Sequence, residues 1–211
     1  MNRLAMPRNK LIFAAAIAFA VPLSLSACGS AGTQQGASGD GRPPLEGAKI
    51  GGPFELVDKD GKAVRWSDFA GKYRIVYFGY TYCPDVCPTD VQRMSQGLRL
   101  YAKDHAALAD KIQPIFITVD PQRDTPAKVG EFAAAFSDKL IGLTGTPEQI
   151  ASAAKTFRVF YSKGETSPGG GYLVDHSSIT YLFGPQGEPL ATLPTDLGPE
   201  AVADELAKWV K

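Results

Sequence analysis

Two of the chain's three cysteines stand four positions apart in Tyr80-Thr81-Tyr82-Cys83-Pro84-Asp85-Val86-Cys87-Pro88. A sulfur pair at this spacing can do two kinds of chemistry. If the segment coils as one helical turn, Cβ atoms four apart lie within about 6 Å. Both sulfurs can then turn toward one metal ion, with bonds of about 2.3 Å as for zinc. With a small further approach, to Cβ separations of about 3.5–4.5 Å, they can instead join as a disulfide. At a helix start the pair would also meet unpaired N–H groups and a partial positive charge. That setting lowers thiol pKa values and makes better nucleophiles and ligands. Two buried small hydrophobes or an inert disulfide are the plainer readings. A proline-framed loop at an open strand end counts against both, because α/β folds place ligands there.

Two thiolates leave a metal short of ligands, and the chain has only two histidines, His105 and His176. His105 falls in Lys103-Asp104-His105-Ala106, a polar helix end where a solvated imidazole suits the dipole. His176 falls in Val174-Asp175-His176-Ser177-Ser178, just before a strand of a closing hairpin. Alone it reads as a satisfied hydrogen-bonder, and its use as a ligand depends on the fold bringing it to the cysteine loop. Soft thiolates with one imidazole suit copper, and Cu(I) tolerates low coordination. A structural zinc site asks for a fourth ligand.

The elements that must position these residues follow from periodicity and turn chemistry. Phe54–Val57 and Ala63–Trp66 flank Asp58-Lys59-Asp60-Gly61 as a hairpin. Arg74–Tyr80 (RIVYFGY) is a buried strand, and Ile112–Val119 (IQPIFITV) is another. Pro88–Lys103 reads as a helix with Pro88 at its first position. Pro126–Phe136 carries Val129, Phe132, Ala133 and Phe136 on one side, and Leu140–Leu143 is a short apolar run. Thr146-Pro147-Glu148 opens a helix that reaches about Phe157. Ser178–Phe183 and Pro189–Leu193 form a hairpin across Gly184-Pro185-Gln186-Gly187, and a last helix spans about Pro199–Val210. Strands alternating with helices imply a parallel pair with helices on the sheet, and the closing hairpin makes the sheet mixed. This order is α/β and thioredoxin-like, with an N-terminal β-hairpin extension and flanking helices; in that topology the His176 turn lies beside the cysteine loop.

The 211 residues suffice for one substantial domain plus extras, and the 44% hydrophobic and 21% charged content is ordinary for a globular protein. Basic and acidic residues number 22 each, and the first 27 residues hold Arg3, Arg8 and Lys10 with no acid. The remainder therefore carries 19 basic against 22 acidic residues, a net of −3, which argues against a nucleic-acid partner. Residues 1–27 have the basic start and apolar core of a secretory signal. Leu25-Ser26-Ala27-Cys28 resembles the lipobox of bacterial lipoproteins, which implies cleavage before Cys28 and acylation of its thiol; an uncleaved membrane anchor is the competing reading. Residues 28–46 then read as a flexible tether, Gly- and Ser-rich and without aromatic residues up to Pro44. The folded domain is expected over 47–211, exported and held at the outer side of a bacterial membrane.

Other segments carry weaker signals. Asp120-Pro121-Gln122-Arg123-Asp124-Thr125-Pro126 makes turns and caps. It also sits on the same sheet edge as the cysteines, so Asp120 and Arg123 are candidates for supporting the site or contacting a partner. Asp85 suits a first helical turn. Gly164–Gly171 lacks the ending of a phosphate loop and reads as a mobile loop near the site.

YFGYTYCPDVCPTDV, then ITVDPQRDTP, then VDHSSITYLFGPQGE, in that order and spacing, resemble the SCO/SenC family over about 51–211. The resemblance implies a thioredoxin-like fold that binds Cu(I) or Cu(II), with Cys83, Cys87 and His176 at the family's three ligand positions. It also implies maturation of the binuclear copper centre of cytochrome c oxidase, by copper delivery, by reduction of that centre's cysteines, or both. The partners implied are the oxidase's copper-bearing subunit and other copper chaperones. A general periplasmic thiol–disulfide oxidoreductase or a thiol peroxidase is the alternative. The former usually has two residues between its cysteines, not three, and the latter would show a lone nucleophile.

Overall fold

The computed structural model describes residues 41–211. The expected signal segment, Cys28 and the tether as far as residue 40 lie outside the described residues. The packed chain is already engaged at Leu45, whose N–H donates to the Leu190 carbonyl at 3.0 Å. Among the described residues, no helix is long and apolar enough to cross a membrane.

The apolar run around Arg74–Tyr80 becomes β3 (Tyr73–Gly79), a central strand buried at every position. Such continuous burial requires neighbours on both edges and layers on both faces. On one edge β3 pairs in parallel with β4 (Ile112–Thr118), which pairs in parallel with β5 (Ile141–Leu143). On the other edge it pairs antiparallel with β8 (Thr180–Phe183), which pairs antiparallel with β9 (Pro189–Leu193). The resulting five-stranded order is β5-β4-β3-β8-β9, the mixed sheet expected from the alternation of elements.

The helices are α1 (Val86–Asp104), the short α2 (Ala106–Ala109), α3 (Pro126–Ala134), α4 (Pro147–Thr156) and α5 (Pro199–Trp209). Their starts follow local chemistry. Thr125 and Thr146 cap α3 and α4, each with a proline in the first turn, and Gln149 completes a capping box on Thr146. Helix α1 begins two residues earlier than Pro88, which places Cys87 inside its first turn. Gly97 lets α1 and α5 meet closely, since a Cβ there would fall 2.6 Å from Val202 Cβ.

The expected N-terminal hairpin is present as β1 (Glu55–Val57) and β2 (Ala63–Arg65). An aromatic cluster fastens it to the core: Trp66 lies edge-on to Phe54, Phe157 and Phe183 at centroid distances of 5.7, 5.4 and 5.3 Å. Such pairs contribute about 0.5–1.5 kcal/mol each beyond burial.

One pair of strands was not anticipated from the sequence. β6 (Tyr161–Lys163) and β7 (Val174–His176) form a separate two-stranded antiparallel sheet in which Tyr161 faces His176. The segment 164–171, read as a mobile loop, is the connection of this arm, closed by Gly164 N–H to Leu173 O at 2.9 Å and Ser167 N–H to Gly171 O at 2.7 Å. His176 therefore ends a strand and does not sit in an open turn. Strands of three residues are too short to show alternation, which is why periodicity missed them.

Candidate metal centre

The site forms where the C-terminal end of β3 hands over to α1. Residues Thr81–Asp85 make the connection, and Asp124 holds it in place. This fully buried carboxylate accepts from Thr81 N–H at 2.9 Å, Thr81 Oγ1 at 2.6 Å and Thr118 Oγ1 at 2.6 Å. It thereby ties the cysteine loop to the end of β4. Three bonds converging on one carboxyl group reinforce one another in a buried setting. The sequence signal for Asp124 was only that of a turn residue before a capping threonine, and its role comes from segments 43 positions apart.

Cys87 is buried and Cys83 is half-buried, and both are free thiols. The Cys87 backbone N–H donates to Cys83 Sγ at 3.4 Å, the helix-start interaction expected for this spacing. Cys87 Sγ lies 3.1 Å from His176 Nε2. The donor atoms of Cys83, Cys87 and His176 all fall within 4.8 Å of one another. The three residues singled out from sequence thus converge. His105 does not take part: it ends α1 and stacks on Tyr101 at 4.7 Å. Asp85, exposed beside the loop, is not among the converging groups.

The imidazole is oriented on several sides. Its Nδ1–H donates to the Ser177 carbonyl at 3.2 Å, which leaves the Nε2 lone pair facing the sulfurs. Such a bond fixes the tautomer that a metal ligand needs. Tyr77 and Tyr80 meet the ring nearly perpendicularly at 6.2 and 5.9 Å. The Tyr80 hydroxyl also accepts from Val174 N–H at 3.3 Å, pinning β7 near its start. From sequence Tyr77 reads only as part of the buried strand, and Tyr80 as packing at the loop base or contacting a partner.

Burial decides the protonation of the metal-free site. It lowers the His176 pKa, so the ring is neutral and ready to ligate. It also raises the Cys87 pKa, with the hydrogen bond to Cys83 adding to the effect. For Cys87 this corrects the expectation that the helix start depresses the thiol pKa. The dipole acts within a turn and is worth about 0.3–1 kcal/mol in exposed settings, whereas desolvating a thiolate at a fully buried position costs more. Cys87 is therefore a thiol until a cation replaces its proton.

The donor set fits a single soft cation. Bonds of about 2.0–2.3 Å to nitrogen and sulfur let two donors stand at most ~4.6 Å apart, close to the observed span. Cys83 lies at the mouth beside Tyr82, which is 47% exposed, while Cys87 lies at the floor. Access is therefore from the Cys83 side.

Comparison with known proteins agrees with this geometry. The SCO1/SenC family model matches residues 42–211. The chain is 45% identical over 162 residues to Protein SenC of Rhodobacter capsulatus, covering 75% of this chain and 70% of SenC. It is 43% identical over 144 residues to the mitochondrial SCO1 homolog 1 of Arabidopsis thaliana, covering 68% of this chain and 42% of that protein. The chain thus spans about half the length of the mitochondrial relatives it matches. Among solved structures, copper-bound ScoI of Bradyrhizobium japonicum superposes with a TM-score of 0.68 at 41% identity, over 76% of this chain and 99% of that one. The mixed sheet of these neighbours is the thioredoxin-like one seen here. With a match over residues 42–211 and the whole Cys83, Cys87 and His176 cluster inside it, the chain belongs to the SCO1/SenC family.

Proposed function

We propose that the chain binds copper through Cys83, Cys87 and His176 and uses it to mature the binuclear copper centre of cytochrome c oxidase. It does so by delivering copper, by reducing that centre's cysteines, or both. The observation that carries this reading is the convergence of two free thiols and one imidazole within 4.8 Å. Two thiolates and an imidazole are soft donors that favour copper, and the copper bound in the Bradyrhizobium japonicum relative supports the assignment. Among the described residues the cluster consists of these three donors alone, one short of a closed zinc site.

The division between mouth and floor suits transfer. An incoming partner thiolate meets Cys83 first, while Cys87 and His176 retain the ion from inside. Each ligand exchange then replaces one bond by another, and the ion is never bare. The same asymmetry favours disulfide exchange as a second use. The Cys83 thiolate attacks one sulfur of a partner disulfide, forming a mixed disulfide and releasing one partner thiolate. Cys87 gives up its proton, by way of His176 Nε2 at 3.1 Å, to the released partner thiolate, and its sulfur then attacks Cys83 Sγ. The partner leaves as a dithiol and Cys83–Cys87 is left oxidised. The copper-bearing oxidase subunit and other copper chaperones are the partners proposed. The chain is organised as a signal over 1–27, a tether over 28–46 whose last residues from Leu45 already pack on the domain, and the copper domain over 47–211. Acylated Cys28 anchors the mature protein at the outer side of a bacterial membrane.

Metal analysis of Cys83→Ala, Cys87→Ala and His176→Ala in the soluble domain tests the centre. One copper per wild-type chain and loss of stoichiometric copper in either cysteine variant are expected. Full copper in either cysteine variant sinks the reading. Prior oxidation of Cys83 and Cys87 should also abolish binding, because metal and disulfide compete for the same sulfurs. Mass spectrometry of the membrane-bound N-terminal peptide separates an acylated Cys28 from an intact Met1.

A further inference from the structure

The thiolates and the imidazole come from two parts of the molecule that share no strand pairing. The cysteines follow β3 of the five-stranded sheet, and His176 belongs to the β6–β7 arm. One side chain touches both parts. The Arg123 guanidinium lies 3.6 Å over the Tyr172 ring on the arm, and 4.9 and 5.7 Å over Tyr82 and Tyr80 on the cysteine loop. Its Nη1 donates to the Tyr172 carbonyl at 2.9 Å, and its Nε donates to Asp120. The Tyr172 hydroxyl donates to the same Asp120 carboxylate at 2.8 Å. Asp120 is itself buried and anchored, its N–H donating to Thr118 Oγ1 at 2.9 Å at the end of β4. A planar cation with donors on two edges can hold a carboxylate, a carbonyl and stacked rings at once, which a lysine cannot.

We propose that Arg123 is a positioning residue, a strut that sets the distance between the thiolates and the imidazole by clamping Tyr172 of the arm against the cysteine loop. Tyr172 is four residues before His176, so tilting the arm there carries Nε2 out of its 3.1 Å contact with Cys87 Sγ. The strut rests on the copper-site reading above. It bears on one ligand of three. Cu(II), which favours nitrogen donors and tetragonal geometry, depends on it, while Cu(I) held by two thiolates does not.

The test compares Arg123→Lys, Arg123→Ala, Tyr172→Phe and His176→Ala in the full soluble domain with copper alone as probe. Competition titration of Cu(II) and Cu(I) is one readout. The thiolate-to-Cu(II) absorption band is the second, and the His176 ring-proton NMR shifts of the metal-free protein are the third. Both Arg123 variants should lose about 10–100-fold in Cu(II) affinity, the range for groups that orient metal ligands. Their Cu(I) affinity should stay within about twofold of wild type by the ligand-preference argument. The absorption band should move, and the His176 shifts should lose the contribution of the Tyr77 and Tyr80 rings. Tyr172→Phe keeps the stacked ring and should lose less than either Arg123 variant. Wild-type Cu(II) affinity with lysine at position 123 overturns the strut, since charge alone would then suffice. Unmoved His176 shifts in Arg123→Ala overturn it even before copper is added. If His176→Ala leaves Cu(II) affinity intact, the three-ligand reading fails instead, and the metal-free NMR still judges the strut.

Discussion

The half of the site that carries sulfur and the half that carries nitrogen are built differently. Cys87 sits in the first turn of a 19-residue helix, above a strand buried along its whole length. The loop leading to it is tied to β4 by three hydrogen bonds to one buried carboxylate. His176 ends a three-residue strand in a sheet of two. Its arm reaches the cysteine side through Tyr80, Arg123 and Asp120. Opening an element with few buried contacts costs less than opening the core. The sulfurs are thus preorganised and the imidazole is held by a handful of bonds, a division suited to the proposed role of holding and releasing an ion.

Breaking the rigid half should cost most. Asp124→Ala leaves Thr81 N–H and two hydroxyls without their acceptor in a buried setting, at about 3 kcal/mol or more given about 1.5–3 for each bond to a charged group. Denaturant unfolding measures it, and a loss under a tenth of that would mean the loop is fastened elsewhere. Gly79→Ala comes next. Its new Cβ would lie 2.9 Å from Tyr77 Cε1 and 3.0 Å from Cys87 Sγ, and overpacking of this kind costs about 1–3 kcal/mol. A drop in thermal midpoint together with altered copper absorption is the expected pair of changes; a stability loss with an unchanged spectrum would show that the core absorbs the methyl without moving the sulfur.

Loosening the light half should barely register in global stability. Tyr80→Phe removes the acceptor of Val174 N–H, worth about 0.5–1.5 kcal/mol. Amide exchange at Val174 should quicken while exchange in β3 stays put, and equal acceleration in both would erase the distinction between the halves. The smallest effect is a pH dependence at Asp90, which accepts from the Tyr77 hydroxyl at 3.1 Å. Burial holds its carboxyl above the ordinary 3.8. As pH rises from below 3.8, the unfolded chain gives up its proton first, so the contribution to stability present in acid is lost as pH passes through the raised folded value. Asp90→Asn should therefore gain on wild type as pH rises over that window, measured as the difference between their midpoints; a constant difference would place the carboxyl in a wetter environment.

How much of this was legible without coordinates differs between the halves in the same way. The β3–loop–α1 unit is continuous in sequence, so apolar run, proline-framed cysteines and helix periodicity announced it locally, down to a helix start misplaced by two residues. The arm was not announced, because its strands are three residues each and ten residues apart. Arg123 was marked as a candidate support only by its place on the sheet edge of the cysteines, and Asp124 and Tyr172 read as turn and loop residues, since what all three do is defined by segments 43 to 52 positions away.

By itself the sequence determined which atoms are available for chemistry. It showed two sulfurs at helical spacing, one histidine near a closing hairpin, and an order of strands and helices that allows few topologies, because connections are short and right-handed. Only the tertiary structure decided how those atoms behave. It brought His176 to 3.1 Å from a sulfur 89 residues earlier and turned its free nitrogen inward. It also reversed the expected ionisation of Cys87 by burying it. The reason is physical: spacing along the chain sets local geometry, but solvent exclusion and long-range contact are properties of the packed whole, and they govern proton affinity and ligand distance.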